Sequence, residues 1–513
     1  MVALLGATAG TLHGTGRGST RSSVITAKAN GDALGWWTST EGGTAEDQRY
    51  SLTEAVDLAK RFDLVLALKG TFTADGLTPF MRAANPGLRL IVYSNGVHTQ
   101  PDEAPGMNEA WFAHDPAGAR VRNVTWGNWV MNPRSAGWRT YAADRCRAFM
   151  TRAGADGCYL DDLGVGNLTT NFSAVPVDPV TGGPYTEAAW IGATAEVAAT
   201  VKAGLGGSPV FANALNHGGN YFGAPQSWRV MAAADGAEAE GFVRGDRAGV
   251  GEFRSEGAWR QDVDMLVDAG ARGKIVLAKT KVWVPATVAV KNEWYRYALA
   301  TFMLGTDGRS LFAFNARGPG RPEAPRAPES TDFGTPTEPY QQVNGVYRRR
   351  WTGGTVYVNP TSATVTVPIG GVMERLDGQL VTSLVLAPHT GDVLVPSTVR
   401  CDSSPVTIVG TAKADTISGT AGPDVILGLG GDDVINGGGG ADVICGSGGA
   451  DRVSGGAGDD RVIGGLGDDR VTGDAGNDRL DGQAGIDQLD GGAGSDACAV
   501  RPGDVLTTCE LAG

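Results

Sequence analysis

The feature that most constrains this chain is a strict nine-residue repeat in its C-terminal part. A glycine opens each repeat, from Gly410 to Gly491, and an aliphatic residue stands seven positions later, from Ile417 to Leu489, with Cys498 ending the series. A period this regular predicts one small unit stacked many times around a thin apolar interior. Five positions after each glycine comes an aspartate, at Asp415, Asp424, Asp433, Asp442, Asp451, Asp460, Asp469, Asp478, Asp487 and Asp496. The glycines permit left-handed turns, and the aspartates offer anionic oxygens to a hard cation.

The repeats over about 410–498 resemble the GGxGxDxUx nonapeptide of RTX parallel β-rolls. The resemblance implies several bound Ca²⁺ ions, with the repeated aspartates as ligands. It also implies an extracellular, secreted protein whose roll folds outside the cell, where Ca²⁺ is abundant. A solenoid without metal is the poorer alternative, because a column of unpaired aspartates would repel itself.

The acidity of the chain belongs to these repeats. From Cys401 onward there are 19 acidic and 6 basic residues, so this segment carries a net charge of −13. The whole chain of 513 residues has the same net charge. Residues 1–400 are therefore neutral, and no basic surface is expected to attract nucleic acid. No run of 18 apolar residues occurs, so no transmembrane segment is expected.

The first thirty residues are predicted to be a signal remnant followed by a disordered segment. Met1–Gly10 contains a short apolar run, and the A-T-A step at Ala7 to Ala9 is typical of a signal-peptidase site. The alternative is a disordered start that happens to be apolar.

Six cysteines are an even number, which suits an oxidising compartment. Spacing alone does not prove how they pair. The candidate pairs are Cys498 with Cys509 and Cys401 with Cys445, whereas Cys146 and Cys158 are interpreted as buried thiols.

From about residue 33 to 315, short β-like runs alternate with helical stretches, which predicts parallel strands with crossover helices. The predicted strands are Leu34–Trp37, Asp63–Lys69, Leu88–Ser94, Gly157–Asp161, Pro209–Ala212, Gly236–Glu240, Lys274–Lys279 and Ser310–Phe314. The predicted helices are Leu52–Arg61, Trp138–Ala153, Glu187–Ala203, Gly257–Ala269 and Val288–Leu304. Eight strands match one α/β (β/α)₈ TIM barrel. A doubly wound open sheet is the alternative, but no glycine-rich phosphate loop follows the first strand.

The composition divides the chain into several predicted units. Residues 31–316 are assigned to the barrel, and the Pro-, Arg- and Glu-rich residues 317–342 to a linker or loop. Residues 343–400 alternate apolar and polar positions and predict a small antiparallel β-sandwich. Residues 401–513 form the roll with a C-terminal cap.

Two similar stretches place carboxylates at predicted strand ends. Asp161 and Asp162 end the strand that begins with Asp156-Gly157, and Glu240 ends the strand that begins with Asp235-Gly236. Asp161 and Glu240 each lie five residues after the Asp-Gly step. Carboxyl ends of barrel strands carry catalytic residues, so the two are predicted to form a paired-carboxylate site. The alternative is an aspartate pair that caps the following loop.

Other common chemistries lack their motifs. The sequence has no HExxH, no GxSxG and no Walker loop, and its five histidines are scattered. Paired carboxylates in a barrel rich in aromatic residues are typical of glycosidases.

The barrel region also resembles the hypothetical glycosyl hydrolases of family fifteen, which are distantly similar to endo-α-1,4-polygalactosaminidase barrels. The segments that carry the resemblance are Phe62–Gly70, Asn85–Gly96, Met131–Tyr141, DGCYLDD and DGAEAEGF. The resemblance implies glycoside hydrolysis without a catalytic cofactor. It makes Asp161 the candidate nucleophile or base and Glu240 the candidate general acid, with Asp162 and Glu238 as alternates.

Supporting residues are predicted near the strand ends. Glu238 should lie one layer deeper than Glu240, where a buried ion pair with Lys69, Lys279 or Lys281 is favoured over catalysis. The candidate substrate-binding residues are Trp36, Trp37, Tyr93, Asn95, Asn213 and Trp283.

The leading hypothesis is a secreted glycoside hydrolase that acts on a polysaccharide, with a calcium roll that aids export, folding or attachment to a cell surface or matrix. The alternative is a non-catalytic carbohydrate-binding or cell-surface protein. An enzyme requires Asp161 and Glu240 in one cleft, roughly 5 to 10 Å apart.

Overall fold

The structure is a computed structural model that describes residues 35–39, 50–67, 76–164, 168, 170–223, 226–245, 248–316 and 333–511. Eight parallel strands close into a barrel, in the spatial order β1-β8-β7-β6-β5-β4-β3-β2. Their bounds are β1 Gly35–Ser39, β2 Leu64–Ala67, β3 Arg89–Asn95, β4 Gly157–Asp161, β5 Val210–Leu215, β6 Gly236–Ala239, β7 Ile275–Lys281 and β8 Leu311–Asn315. The predicted TIM barrel is confirmed, and the open sheet is wrong, because β1 pairs with both β2 and β8.

Helices connect the strands. Their bounds are α1 Leu52–Arg61, α2 Thr78–Ala84, α3 Ala136–Ala153, α4 Glu187–Gly204, α5 Gly218–Phe222, α6 Trp228–Ala233, α7 Glu256–Ala271 and α8 Val288–Gly305, with a 3₁₀ turn at Glu109–Trp111. Ser51 and Glu54 form a capping box, so α1 begins where its sequence predicts. The short helices α2, α5 and α6 were not predicted, because five to seven residues are too few to show a clear period.

The repeated Asp-Gly steps stabilise the end of the barrel opposite the carboxylates. Asp156 accepts a hydrogen bond from Leu90 N, and Asp235 accepts one from Val210 N. A side chain at Gly157 would collide with a backbone carbonyl of the neighbouring strand. Each step therefore joins adjacent strands, and the five-residue offset carries Asp161 and Glu240 to the other end.

A small antiparallel domain packs on the barrel through α8. Its strands are β9 Gln341–Val343, β10 Val346–Trp351, β11 Gly354–Asn359, β12 Val365–Arg375, β13 Leu380–Leu386 and β14 Thr390–Pro396. The predicted sandwich is one hydrogen-bonded sheet rather than two, because β12 pairs with β13 and, after a register shift between Pro368 and Met373, also with β14. Both faces of this sheet carry buried apolar clusters.

The repeats form two parallel sheets, and alternate nine-residue repeats contribute their strands to opposite sheets. In one sheet Ile417 lies beside Ile435 and Ile435 beside Val453, and the other sheet continues in the same register. These aliphatic residues form one buried column, so the predicted thin interior is confirmed. The strands are Ile408–Val409, Thr416–Ser418, Val425–Leu427, Val434–Asn436, Val443–Gly448, Arg452–Ala457, Arg461–Leu466, Arg470–Ala475, Arg479–Ala484, Gln488–Asp490, Ala497–Ala499, Val505–Thr507 and Glu510–Leu511. Two short pairs, His98–Thr99 with Trp129–Val130 and Arg400–Cys401 with Ser404–Pro405, complete the strands.

All six cysteines form disulfides. Cys498 pairs with Cys509 and Cys401 with Cys445, as the sequence suggested. The interpretation of Cys146 and Cys158 as buried thiols is wrong, because they form the third disulfide. Helix α3 packs against β3 and β4, and this packing brings Cys146 to Cys158.

Among the described residues, every helix is too short or too polar to cross a lipid bilayer.

Candidate functional site

The two carboxylates predicted from the repeated stretches lie close together at the carboxyl ends of the strands. Asp161 is the last residue of β4, and Glu240 directly follows β6. Asn213 of the intervening β5 lies between them: its Nδ2 is 2.8 Å from Asp161 Oδ1 and 3.5 Å from Glu240 Oε2. The Tyr93 hydroxyl of β3 donates to the other Asp161 oxygen. Side chains from four neighbouring strands therefore converge on this pair.

Glu240 is held by a lysine from the next strand. Lys281 Nζ forms an ion pair with Glu240 Oε1, although the Glu240 side chain remains 38% exposed. Burial acts to raise the pKa of Glu240, but the ammonium groups of Lys281 and Lys279 and the hydrogen bonds to Lys281 and Asn213 bring the pKa below its usual value. Glu240 is thus ionised at neutral pH in the free protein.

Glu238 lies one layer deeper, as the alternation along the strand predicts. Its side chain is 1% exposed and forms an ion pair with Lys279, with Oε1 and Nζ 3.2 Å apart. The Tyr159 hydroxyl donates to the other carboxylate oxygen. The predicted buried ion pair is confirmed, with Lys279 as the partner, whereas Lys69 lies outside the described residues.

Asp162 contacts the loop after β3 and also lines a cavity together with Asn213 and Glu240. It has a φ of 64°, in the left-handed region that few residues other than glycine adopt. Its Oδ2 accepts a hydrogen bond from Asn95 Nδ2 at 2.9 Å and lies 2.8 Å from His98 Nδ1. Its backbone N–H donates to Asp161 Oδ1. These contacts anchor the turn that presents Asp161. They give Asn95 a structural role at the end of β3.

A cavity of about 340 Å³ opens beside the pair, between the ends of β4, β5 and β6. Its lining is rich in amide side chains, which can both donate and accept hydrogen bonds to sugar hydroxyls. Asn220 Oδ1 is buried there without a hydrogen-bond partner among the described residues. Several amide residues of this lining were not predicted, because they follow no strand pattern. They include Asn171, Asn216 and Asn220.

The aromatic residues predicted to bind substrate lie in different surroundings. Trp37 is fully buried inside the barrel, and its indole N–H donates to Ala278 O, so it fills the core rather than stacking on a ligand. Trp283 is half-buried, with its ring 4.5 Å from Nζ of Lys281, the lysine that pairs with Glu240. The Tyr93 ring stacks on Tyr159 and uses its hydroxyl on Asp161. The Trp36 side chain lies outside the described residues.

A second cavity of about 290 Å³ lies behind β3. Arg145 of α3 lines it, donates to Ser94 Oγ and Asn95 O, and has Glu103 at 3.8 Å. Burial lowers the pKa of Arg145. This guanidinium holds the end of β3 in place. The role was not predicted, because Arg145 lies on a helix and not at a strand end.

The aspartates of the roll fit a cation. Seven repeat aspartates each bury one carboxylate oxygen that has no hydrogen-bond partner in the described part of the chain: Asp433, Asp442, Asp451, Asp460, Asp469, Asp478 and Asp487. Burial, together with neighbouring carboxylates, raises the pKa of Asp460 to about 6 and that of Asp469 to about 7. Buried carboxylates that lack partners are costly without a metal, and oxygen ligands of this kind are those that Ca²⁺ prefers.

Comparison with protein families gives two matches. The model of the family described as "Hypothetical glycosyl hydrolase family 15" matches residues 82–355, just over half of the chain. The model described as "RTX calcium-binding nonapeptide repeat (4 copies)" matches residues 409–444, 446–480 and 472–503. Both resemblances inferred from the sequence are confirmed.

Solved structures of glycoside hydrolases are similar to part of the chain. The glycoside hydrolase domain of PelA from Pseudomonas aeruginosa is 16% identical, covers 57% of this chain and 100% of its own, and has a TM-score of 0.36. Aspergillus fumigatus Ega3 in complex with galactosamine is 14% identical, covers 58% and 97%, and has a TM-score of 0.34. An Anoxybacillus α-amylase is 13% identical, covers 71% and 98%, and has a TM-score of 0.41. Comparison with curated proteins found no match.

Proposed function

This chain belongs to hypothetical glycosyl hydrolase family 15, and on that premise we propose that its barrel hydrolyses the glycosidic bonds of a polysaccharide. Asp161 and Glu240 are the reacting carboxylates in this proposal. One carboxyl group protonates the leaving oxygen, while the other attacks the sugar or activates a water molecule. The observation that carries the proposal is that both carboxylates lie within hydrogen-bond distance of the same amide group, that of Asn213.

The spacing of the two carboxylates favours retention of configuration at the sugar. Because Asp161 Oδ1 and Glu240 Oε2 are both close to Asn213 Nδ2, these oxygens are at most about 6 Å apart. Retaining enzymes need about 5 to 5.5 Å, so that one carboxylate can attack the sugar directly, whereas inverting enzymes need room for a water molecule. The first sugar released should therefore keep the anomeric configuration of the substrate, which NMR of the initial product measures.

The roles within the pair depend on Lys281. The family resemblance makes Asp161 the candidate nucleophile or base and Glu240 the candidate general acid. The ion pair with Lys281 keeps Glu240 ionised in the free protein, so an acid role requires the substrate to separate them. The opposite assignment, with Glu240 as nucleophile, needs no such step.

The substrate is held, in this proposal, between the amide-lined cavity and Trp283. Amide groups suit sugar hydroxyls, and an indole face at the rim suits the apolar face of a pyranose ring. Tyr93 and Asn213 orient the carboxylates rather than stack on the sugar.

Secretion and export are also proposed rather than observed. Three disulfides suit an oxidising compartment, and the RTX repeats are typical of secreted proteins. In this proposal residues 31–316 are the catalytic unit, 343–400 the small sheet domain, and 401–513 a roll that aids folding, export or attachment.

The test is hydrolysis by the full chain in the presence of Ca²⁺. A panel of bacterial and plant polysaccharides is scored for new reducing ends, and we expect hydrolysis of at least one. Asp161→Asn and Glu240→Gln should each lower the rate about 10²- to 10⁴-fold with the fold intact. Asp144→Asn is the matched control, because its side chain is 60% exposed on α3.

Full activity in either site variant would refute the assignment. Binding of a polysaccharide without hydrolysis would instead support the non-catalytic alternative.

A further inference from the structure

The turns of the roll are of two kinds. In every turn that follows Gly428, Gly437, Gly446, Gly455, Gly464, Gly473, Gly482 and Gly491, the second and fourth residues of the repeat have positive φ, beginning with Leu429 at 81° and Gly431 at 97°. In the first two turns, 411–414 and 420–423, no residue has positive φ. The nine-residue period is unbroken across this boundary, so the change is one of turn conformation and not of register.

The aspartates change at the same boundary. Asp415 Oδ2 accepts hydrogen bonds from Thr411 N at 2.6 Å and Thr411 Oγ1 at 2.8 Å. Asp424 Oδ2 accepts the same two bonds from Thr420, at the same distances. In the repeat aspartates from Asp433 to Asp487, the equivalent oxygen is buried without a hydrogen-bond partner within the described ranges. No later repeat has a threonine at the position of Thr411 and Thr420.

These observations bear on how each turn is stabilised. Positive φ at the second and fourth residues gives these turns a backbone path that the first two turns lack, and an aspartate oxygen that is not hydrogen-bonded supplies the negative charge that a hard cation requires. In the first two turns that oxygen already accepts two hydrogen bonds, from the hydroxyl and the N–H of one threonine. Such a turn closes on itself, in the manner of an aspartate bonded to its own backbone.

We propose that calcium is bound only by the turns from Leu429 onward, and that the first two turns, closed by Thr411 and Thr420, form a metal-independent base of the roll. Asp415 and Asp424, which the repeat pattern predicts as ligands, are turn-closing residues in this proposal. The proposal rests on the RTX repeats and is independent of the catalytic function.

The base has support that needs no cation. A buried apolar cluster joins Val372 of β12 to Leu427 and Cys445 of the roll. The disulfide between Cys401 and Cys445 also holds strand Val443–Gly448, which lies beyond the base, against Val425–Leu427 of the base. The base thus stays docked on the small sheet domain and offers a preformed edge on which later coils add as calcium binds. Growth from a formed edge avoids the cost of starting a new coil.

Trypsin cleavage of the full chain tests the proposal without any substitution. Lys413 is exposed in the first turn, and Arg452, Arg470 and Arg479 are exposed in later coils. Replacing Ca²⁺ with a chelator should make the three arginines cleavable and leave the cleavage rate at Lys413 unchanged, as mass spectrometry measures. Cleavage at Lys413 that increases in parallel with the arginines would overturn the proposal.

Calcium stoichiometry gives a second, independent measurement. The Asp415→Asn/Asp424→Asn variant should bind as many Ca²⁺ ions as the unchanged protein in equilibrium dialysis, because asparagine still accepts the threonine bonds. The Asp451→Asn/Asp460→Asn variant should lose at least one ion. An equal loss in both variants would show that the first turns bind calcium and refute the proposal.

Threonine variants test the closing mechanism. Thr411→Val/Thr420→Val should make Lys413 cleavable in chelator, whereas Thr416→Val should not, because Thr416 is exposed in the same coil and has no side-chain hydrogen bond among the described residues. Continued protection of Lys413 in the double variant would remove the threonines from the mechanism.

Discussion

The barrel and the roll both bury carboxylates, but they stabilise them by different means. In the barrel, the buried Glu238 and the partly exposed Glu240 each have a lysine partner from the neighbouring strand. In the roll, one oxygen of each repeat aspartate from Asp433 to Asp487 has no hydrogen-bond partner among the residues that the structure describes. A buried ion pair between strands is complete once the chain has folded, whereas a carboxylate without a partner makes folding depend on a metal. The carboxylates of the barrel therefore have partners within the fold, whereas those of the roll are expected to need a cation.

Calcium removal should give the largest effect and should affect only the roll. In chelator we expect loss of β-structure from residue 429 onward in far-ultraviolet circular dichroism, because the buried carboxylates repel one another without the cation. All 12 Trp lie before residue 400, so tryptophan fluorescence reports only the barrel and the small sheet domain. If the fluorescence changed together with the dichroism, the barrel would also depend on calcium, which contradicts this prediction.

Removing a partner of the deep barrel pair should give the next largest effect. Lys279→Met leaves Glu238 as an uncompensated buried charge and should lower the free energy of unfolding by about 3 to 5 kcal/mol. The matched control is Glu196→Gln, whose carboxylate is half exposed and pairs with arginines at the surface. Its effect should stay below about 1 kcal/mol. If urea denaturation gave the same loss of unfolding free energy for both variants, burial would not decide the contribution of these ion pairs.

The turn after β4 should give a smaller effect. Asp162→Ala removes the contacts to Asn95 and His98 but keeps a side chain that disfavours the left-handed φ, at a backbone cost of about 1 to 2 kcal/mol. Asp162→Gly removes the same contacts without that cost, so it should be the more stable of the two in thermal unfolding. A glycine variant that is no more stable than the alanine variant would show that the turn is not strained.

Lys281 at the rim of the site should affect the pH profile with little effect on stability. Lys281→Met removes the main charge that lowers the pKa of Glu240, so that pKa rises. If Glu240 acts as the acid, the basic limb of kcat/KM moves to higher pH and activity increases there. If Glu240 acts as nucleophile or base, the acidic limb moves to higher pH and activity decreases there. An unchanged profile would remove Glu240 from the catalytic pair.

The fold was largely predictable because its signals are local. The alternation of β-like runs and helical stretches predicted all eight barrel strands, and the nine-residue period predicted the stacked roll. Side-chain alternation along β6 also predicted that Glu238 lies below Glu240 with a lysine partner. Each of these signals lies within one stretch of the chain and does not depend on a distant segment.

The sequence by itself determined a barrel with Asp161 and Glu240 at the ends of two strands, followed by a roll with a repeated aspartate. Only the tertiary structure decided that Asp162 turns toward His98, that Lys281 pairs with Glu240, and that Cys146 bonds Cys158. These contacts join residues far apart in the chain, and several partners were equally available in sequence. The choice among them depends on which side chains the closed barrel brings within a few ångströms, and no local pattern records that distance.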